Sequence, residues 1–286
     1  MPIAAILLVL GAAVFHASWN YAAKGARSGL GFAAATVACS VLFFLPLTVV
    51  LVIVLRGDLG PEVFALMLVS GCFHTLYFHV LTQGYQHGDL SVVYPLARGT
   101  GPIFTVIGAV ILLNERPTPI AVAGIALIVA GVLIISLPRE VHIRHAAPSI
   151  AFALATGACI AMYTLWDKRA VDDVPPVLYG LGIDISRMIV LAPMLLASST
   201  IRADAADAWT SHRRATLIIG ALTPAAYLMV LVAFTLAPVS YVAPAREVSI
   251  LFGAAMGLSL MGESYPVQRI GGAAAILAGL VAISFG

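Results

Sequence analysis

Arg98 and Arg246 carry the most conspicuous chemistry in this sequence. Each stands inside a long apolar stretch, Arg98 in "VVYPLARGTGP" (92–102) and Arg246 in "VAPAREVS" (242–249). An arginine at the centre of an apolar span costs about 2.5–3.5 kcal/mol, so it faces protein or water rather than lipid. Two roles fit Arg98: pinning backbone carbonyls left open where Pro95 and Gly99 break the helix, or facing a substrate. A guanidinium is always charged and presents a fixed fork of donors, so a pair of them at one depth can hold a carboxylate or phosphate bidentately. Glu247 sits beside Arg246. Neighbours along a helix do not face one another, which leaves Glu247 to pair with Arg98 across the molecule or to carry a proton. If it neutralises one arginine, a net positive charge remains.

Other polar and aromatic residues in the apolar stretches supply the rest of a candidate binding set. Tyr94 shares its stretch with Arg98, and His16, Trp19 and Asn20 cluster in the first apolar segment. His16 and Asn20 are four apart and share a helix face, while His74 and Tyr77 pair in the same way. His79 and Gln83 point in another direction. A histidine titrates near neutral pH and can carry a coupling proton, although it also serves as a helix-to-helix hydrogen bond. His16 and Glu247 are therefore the proton-coupling candidates. Tyr163, Trp166 and Tyr227 fit either as stacking walls of a cavity or as core. Asp184 and Arg187, three apart, can satisfy each other. Glu115 and Glu263 lie about 26 Å along their helices from the arginines, where capping suits them better than binding.

These residues need elements that hold them inside a bilayer. The chain has 286 residues, 61% of them apolar and 10% charged, with a mean hydropathy of +1.04. That composition excludes a disordered chain and an ordinary soluble enzyme, and 15 Lys and Arg are too few for a nucleic-acid face. Cys39, Cys72 and Cys159 stand singly in apolar runs and read as small core residues, so neither a disulfide framework nor a metal or other cofactor is expected. "MPIAAILLVLGAAVF" lacks the basic start of a signal peptide and reads as a retained first span.

A span needs about 20 mostly apolar residues. Ten segments qualify, near 2–22, 30–55, 62–82, 89–113, 118–137, 148–167, 176–198, 215–236, 239–261 and 265–285. Residues 96–136 align with 244–284 without gaps at a constant offset of 148, matching Arg98 with Arg246, Glu115 with Glu263, Gly124 with Gly272 and Gly131 with Gly279. The expected fold is thus an all-α polytopic membrane protein with ten transmembrane helices in two repeats of five, 1–137 and 148–286, joined by a linker at 138–147. Five is odd, so the second repeat starts on the opposite side of the bilayer, and inverted repeats around a midplane site are a transporter signature. Loops on the side away from the N-terminus hold Lys24, Arg27, Arg139, Arg144, Arg202, Arg213, Arg214 and Arg269, against Arg56, Arg116, Lys168 and Arg169 on the other. That excess favours cytoplasmic loops on the first side and both termini outside.

The two-times-five arrangement, "YPLARGTGP" opening span 4 and "LNERPT" closing it resemble the EamA-type drug/metabolite transporters along essentially the whole chain. The resemblance implies alternating access around a cavity lined by spans 1, 3, 4, 6, 8 and 9, and many bacterial members look like exporters driven by exchange or by the proton gradient. Small multidrug exporters of the same superfamily use a span 1 glutamate, whereas span 1 here has His16 and Asn20 and no acid.

The function expected is a secondary transporter of the inner membrane, an exporter of a small polar metabolite with an anionic or zwitterionic group such as an amino acid or organic acid. No GxxxxGK[ST] string is present for direct use of ATP, and no DDxxD, HExxH or GxSxG string for an intramembrane enzyme. The alternative is a proton-coupled exporter of lipophilic drugs or cations, which needs an accessible acid. The partners expected are the small-molecule substrate and the lipid bilayer. The small-residue stripe Gly271, Ala275 and Gly279 suits close packing, either within the chain or in a homodimer through spans 5 and 10.

Overall fold

A computed structural model describes residues 1–23, 29–55, 60–88, 90–136, 146–261 and 267–286. Lys24, Arg27, Arg56, Arg139, Arg144, Glu263 and most of the 138–147 linker lie outside the described residues. Every element described is helical: α1 Ile3–Ala23, α2 Leu30–Leu55, α3 Pro61–His87, α4 Leu90–Leu112, α5 Pro119–Ser136 and α6 Ala146–Ala170 in the first part of the chain. There follow α7 Pro176–Ala197, α8 Ser199–Thr210, α9 Arg213–Leu236, α10 Val239–Ala245, a 3-10 turn Arg246–Val248, α11 Ser249–Met261 and α12 Val267–Phe285. Helices suit these residues because lipid offers no partner for backbone N–H and C=O groups. Pro61 and Pro176 begin α3 and α7 at positions where an absent N–H costs nothing.

Eight of these helices (α1–α7 and α9) are long and apolar enough to cross a membrane. The chain is a multi-pass membrane protein. The ninth expected segment, 239–261, is not one helix but α10, the 3-10 turn and α11. The tenth, α12, has a shorter apolar run, Arg269–Phe285. Two further expectations are corrected. The polar stretch after α7 is not loop but α8, capped by the Ser198 hydroxyl, which accepts from Ile201 N at 3.3 Å. Its Asp204 accepts from Phe32 N at 3.0 Å and so fastens α8 to the start of α2. Span 4 is also unbroken: α4 runs through Pro95, Gly99 and Pro102 as continuous helix. Its glycines serve packing, because a Cβ on Gly99 would lie 3.0 Å from Leu133 and one on Gly101 3.1 Å from Ile160.

Lipid-facing surface is carried by exposed apolar residues, densest on α2 (Leu42, Phe43, Leu47, Ile53, Val54). Inside, α1 packs on α9, α3 on α6 and α7, α4 on α6, and α5 on α12. The α5–α12 contact is made by two glycines from each helix. A Cβ on Gly124 would come within 2.7 Å of Gly279 O and one on Gly279 within 2.5 Å of Gly124 O; Gly131 and Gly272 face each other likewise at 2.6 and 2.8 Å. Only glycine lets the backbones approach that closely. Gly279 therefore packs within the chain, whereas Gly271 meets open space. The Met1 ammonium donates to Ser284 O at 2.9 Å, which places both ends of the chain at one end of the bundle.

Candidate functional site

The helices enclose a central cavity of about 430 Å³, walled by parts of α1, α2, α3, α4, α6, α7, α9 and the broken helix. The 3-10 turn is where the broken helix meets it. Winding at three residues per turn, with Pro244 just before, turns Arg246 toward the cavity and keeps Glu247 buried. Arg98 reaches the same cavity from α4. Its Nη2 lies 3.0 Å from Glu247 Oε2 and donates to Ser249 Oγ at 3.1 Å. The contact with Glu247 is an ion pair without hydrogen-bond alignment, so Glu247 Oε2 and Arg98 Nε keep unused hydrogen-bonding capacity although both are buried.

Arg246 differs. Among the described residues it makes no ion pair. Its guanidinium lies over the Tyr227 ring, 5.7 Å from the centroid, a cation–π arrangement that stabilises the charge without cancelling it. Asp184 and Arg187 of α7 pair with each other at 3.1 Å and border the cavity too. Among the described residues the wall thus presents two arginine–acid pairs and one arginine with no acid.

The aromatic candidates gather on the side of α3 and α6. His74 stacks on Tyr163 (4.2 Å, 25°) and meets Tyr227 edge-on at 5.1 Å, while Tyr77 meets Tyr163 edge-on at 5.6 Å. All four line the cavity, as do Tyr94, His16, Trp19 and Asn20. His16 and Trp19 make an edge contact at 4.8 Å, and Asn20 spends its amide on His16 O, 2.7 Å away within α1. His16 has no acid partner among the described residues. Trp166 is the one site candidate placed elsewhere. Its indole N–H donates to Leu66 O at 2.9 Å and its ring abuts Phe73, so it ties α6 to α3 and does not border the cavity.

Sequence reasoning missed the most heavily bonded acid among the described residues. Asp167 is fully buried on α6, yet its carboxylate accepts from Ser70 Oγ (2.6 Å), Tyr179 OH (2.8 Å), His74 Nε2 (3.0 Å) and the Tyr227 hydroxyl. The available signal was weak: "WDK" places an acid beside Lys168 at a helix end, which reads as a surface pair. Lys168 in fact reaches forward to Asp172 at 2.6 Å, leaving Asp167 to the interior. Glu115 behaves as a cap, its two oxygens accepting from Val239 N (2.8 Å) and Ser240 N (2.9 Å) at the start of α10. Among the described residues no group of three His, Cys, Asp or Glu side chains is placed to hold a metal ion.

A buried, polar-walled cavity inside a membrane bundle suits passage of a solute. The sequence matches the model of the EamA-like transporter family over residues 3–137 and again over 147–285. The chain belongs to the EamA-like transporter family. An uncharacterized transporter from Archaeoglobus fulgidus is 30% identical over 183 residues, which span 62% of this chain and 63% of that relative. A solved crystal structure superposes with a TM-score of 0.81 at 15% identity, covering 100% of this chain and 98% of the other, a likeness of fold.

Proposed function

We propose that the protein is a secondary transporter of a small polar metabolite bearing an anionic or zwitterionic group, an amino acid or organic acid, working by alternating access. The observation that carries this reading is Arg246, a cavity cation with no acid partner among the described residues, held over Tyr227. With Arg98 balanced by Glu247 and Arg187 by Asp184, a substrate carboxylate finds its counter-charge at Arg246. The cavity volume of about 430 Å³ is of small-metabolite size.

In this reading the broken helix and α12 are the ninth and tenth crossings, and two five-helix halves run in opposite senses. The reciprocal glycine contact of α5 with α12, the neighbouring chain ends and the two-fold family match support that arrangement. A broken helix beside the substrate also suits transporters, whose irregular backbone borders cavities. Export across the inner membrane is the direction and place that the family resemblance implies. Any homodimer through α5 and α12 would use their outward faces, such as that of Gly271, because Gly279 is engaged within the chain.

Counterflow in proteoliposomes tests the assignment with labelled L-lactate, L-alanine and L-glutamate as probes. Exchange by the intact protein, lost in Arg246→Gln, is the expected result; exchange unchanged by that substitution overturns it. An exporter of lipophilic cations would need a free cavity acid, and Glu247 and Asp184 are both ion-paired. Ethidium efflux that disappears in Glu247→Gln would favour that alternative.

A further inference from the structure

We propose that His74 and Asp167 form a proton site, and that the proton binds and crosses together with the anionic group of the substrate. The inference rests on the proposed anion transport and adds its coupling. Asp167 is fully buried, and its single ion-pair partner among the described residues is His74. A buried carboxylate needs a counter-charge, which here the imidazole supplies when protonated. His74 is placed for this: Nε2 points at Asp167, and the ring borders the cavity with 13% of its side chain exposed. With Nε2–H donating to Asp167, the proton taken from cavity water adds to Nδ1 and returns to water from there.

Tyr227 joins this site to the substrate site. Its hydroxyl donates to Asp167 and its ring carries Arg246. While His74 is neutral, the negative charge of Asp167 lies one tyrosine away from Arg246 and offsets it. When His74 is protonated it cancels Asp167, and the charge of Arg246 is left for an anion. Proton and anion then favour each other's binding, and that favour is reciprocal.

The other groups facing His74 do not replace this partnership. Tyr163 stacks on it from α6 and Tyr227 meets it from α9, while Tyr77 lies one turn along α3. Tyr179 of α7 bonds to Asp167 itself. Asp184 and Arg187 of α7, within electrostatic reach of His74, are bound to each other at 3.1 Å. Of the sequence-derived proton candidates, Glu247 is paired with Arg98, and His16 has no acid beside it among the described residues. A monocarboxylate moving with its proton transfers no net charge, so direction follows the sum of the two gradients. An accumulated acid leaves with a proton.

The test uses the full chain in proteoliposomes containing a trapped pH dye, with the same three probes. The intact protein is expected to move a proton with each transported anion, and its half-saturation to rise up to about tenfold per pH unit above the midpoint of the proton site. His74→Gln, fixed in the neutral state, is expected to hold the half-saturation at its high-pH value at every pH and to lose both proton movement and pH dependence. Asp167→Asn, close in shape, is the second variant should the first fold poorly; it is also expected to lose proton movement and pH dependence, with the half-saturation held at its low-pH value because nothing then offsets Arg246. Proton-coupled, pH-dependent transport in both variants overturns the proton site. If the intact protein moves none of the probes, the substrate reading fails instead, and histidine NMR of the chain in nanodiscs decides the proton site alone. A His74 signal, assigned by its loss in His74→Gln, that changes protonation state between about pH 5 and pH 8 supports the site. One that holds a single state throughout overturns it.

Discussion

The stretch around Arg98 and its counterpart around Arg246 began as similar sequence and became different structure. The first holds two prolines and two glycines and stays a continuous helix; the second holds Pro244 alone and tightens into a 3-10 turn. Helix-breaking residues thus did not decide where the helix broke. The glycines of α4 are engaged by Leu133 and Ile160, and that helix stays continuous through its prolines while packed closely against these neighbours. Charge diverges as well. In the gapless alignment Glu247 stands where Gly99 does, so the acid supplied by the second half neutralises the arginine of the first. Arg98 is balanced by that one substitution between the halves, and among the described residues Arg246 is left without an acid.

The largest test of this contrast exchanges the two arginines' fates. Arg246→Gln is expected to raise the half-saturation for an anionic probe at least about 30-fold, since losing a charged partner in a desolvated site costs about 2–5 kcal/mol. If Arg98→Gln instead has the larger effect on affinity, the assignment of roles is reversed.

Next comes Glu247→Gln, which leaves Arg98 without its counter-charge. A loss of about 2 kcal/mol in stability is expected, below the usual cost of a broken buried pair because the groups border a cavity. Thermal unfolding in detergent reads it, and adding Arg98→Gln should recover part of the loss. Strictly additive losses would show that the ion pair contributes nothing.

A third test compares packing rather than charge. Gly131→Ala places a Cβ within 2.6 Å of the Gly272 carbonyl, while Gly271→Ala meets open space. The first is expected to cost about 1–2 kcal/mol of stability and the second almost nothing. Equal thermal shifts for the two would dismiss the close α5–α12 contact. Smallest is Glu115→Gln, which keeps one acceptor oxygen but forfeits the charge at the start of α10. About 1 kcal/mol is expected from a weakened cap, with half-saturation for the probes unchanged. A change in half-saturation without loss of stability would place Glu115 in transport rather than in architecture.

Much of this was legible in the sequence. Of the ten expected segments, apolar length and short polar breaks located eight as long apolar helices, because a bilayer leaves a chain few options besides helices. The repeat picked out Arg98 and Arg246, and polarity within apolar runs picked out His16, His74, Tyr77 and Tyr227, all of which border the cavity. Trp166 fails that rule, since an indole also satisfies itself on a neighbouring helix carbonyl and periodicity does not separate the two cases.

Composition, span lengths and the internal repeat are properties of local sequence, and they determined by themselves that this is a multi-span helical protein with polar residues committed to its interior. The tertiary structure decided which charges cancel. Asp167 acquires its partners from α3, α7 and α9, three different helices, and among the described residues Arg246 has no acid because Glu247 turns toward Arg98. The balance of a buried charge depends on side chains that converge from several helices, and that convergence is written in packing rather than in the spacing of residues along one of them.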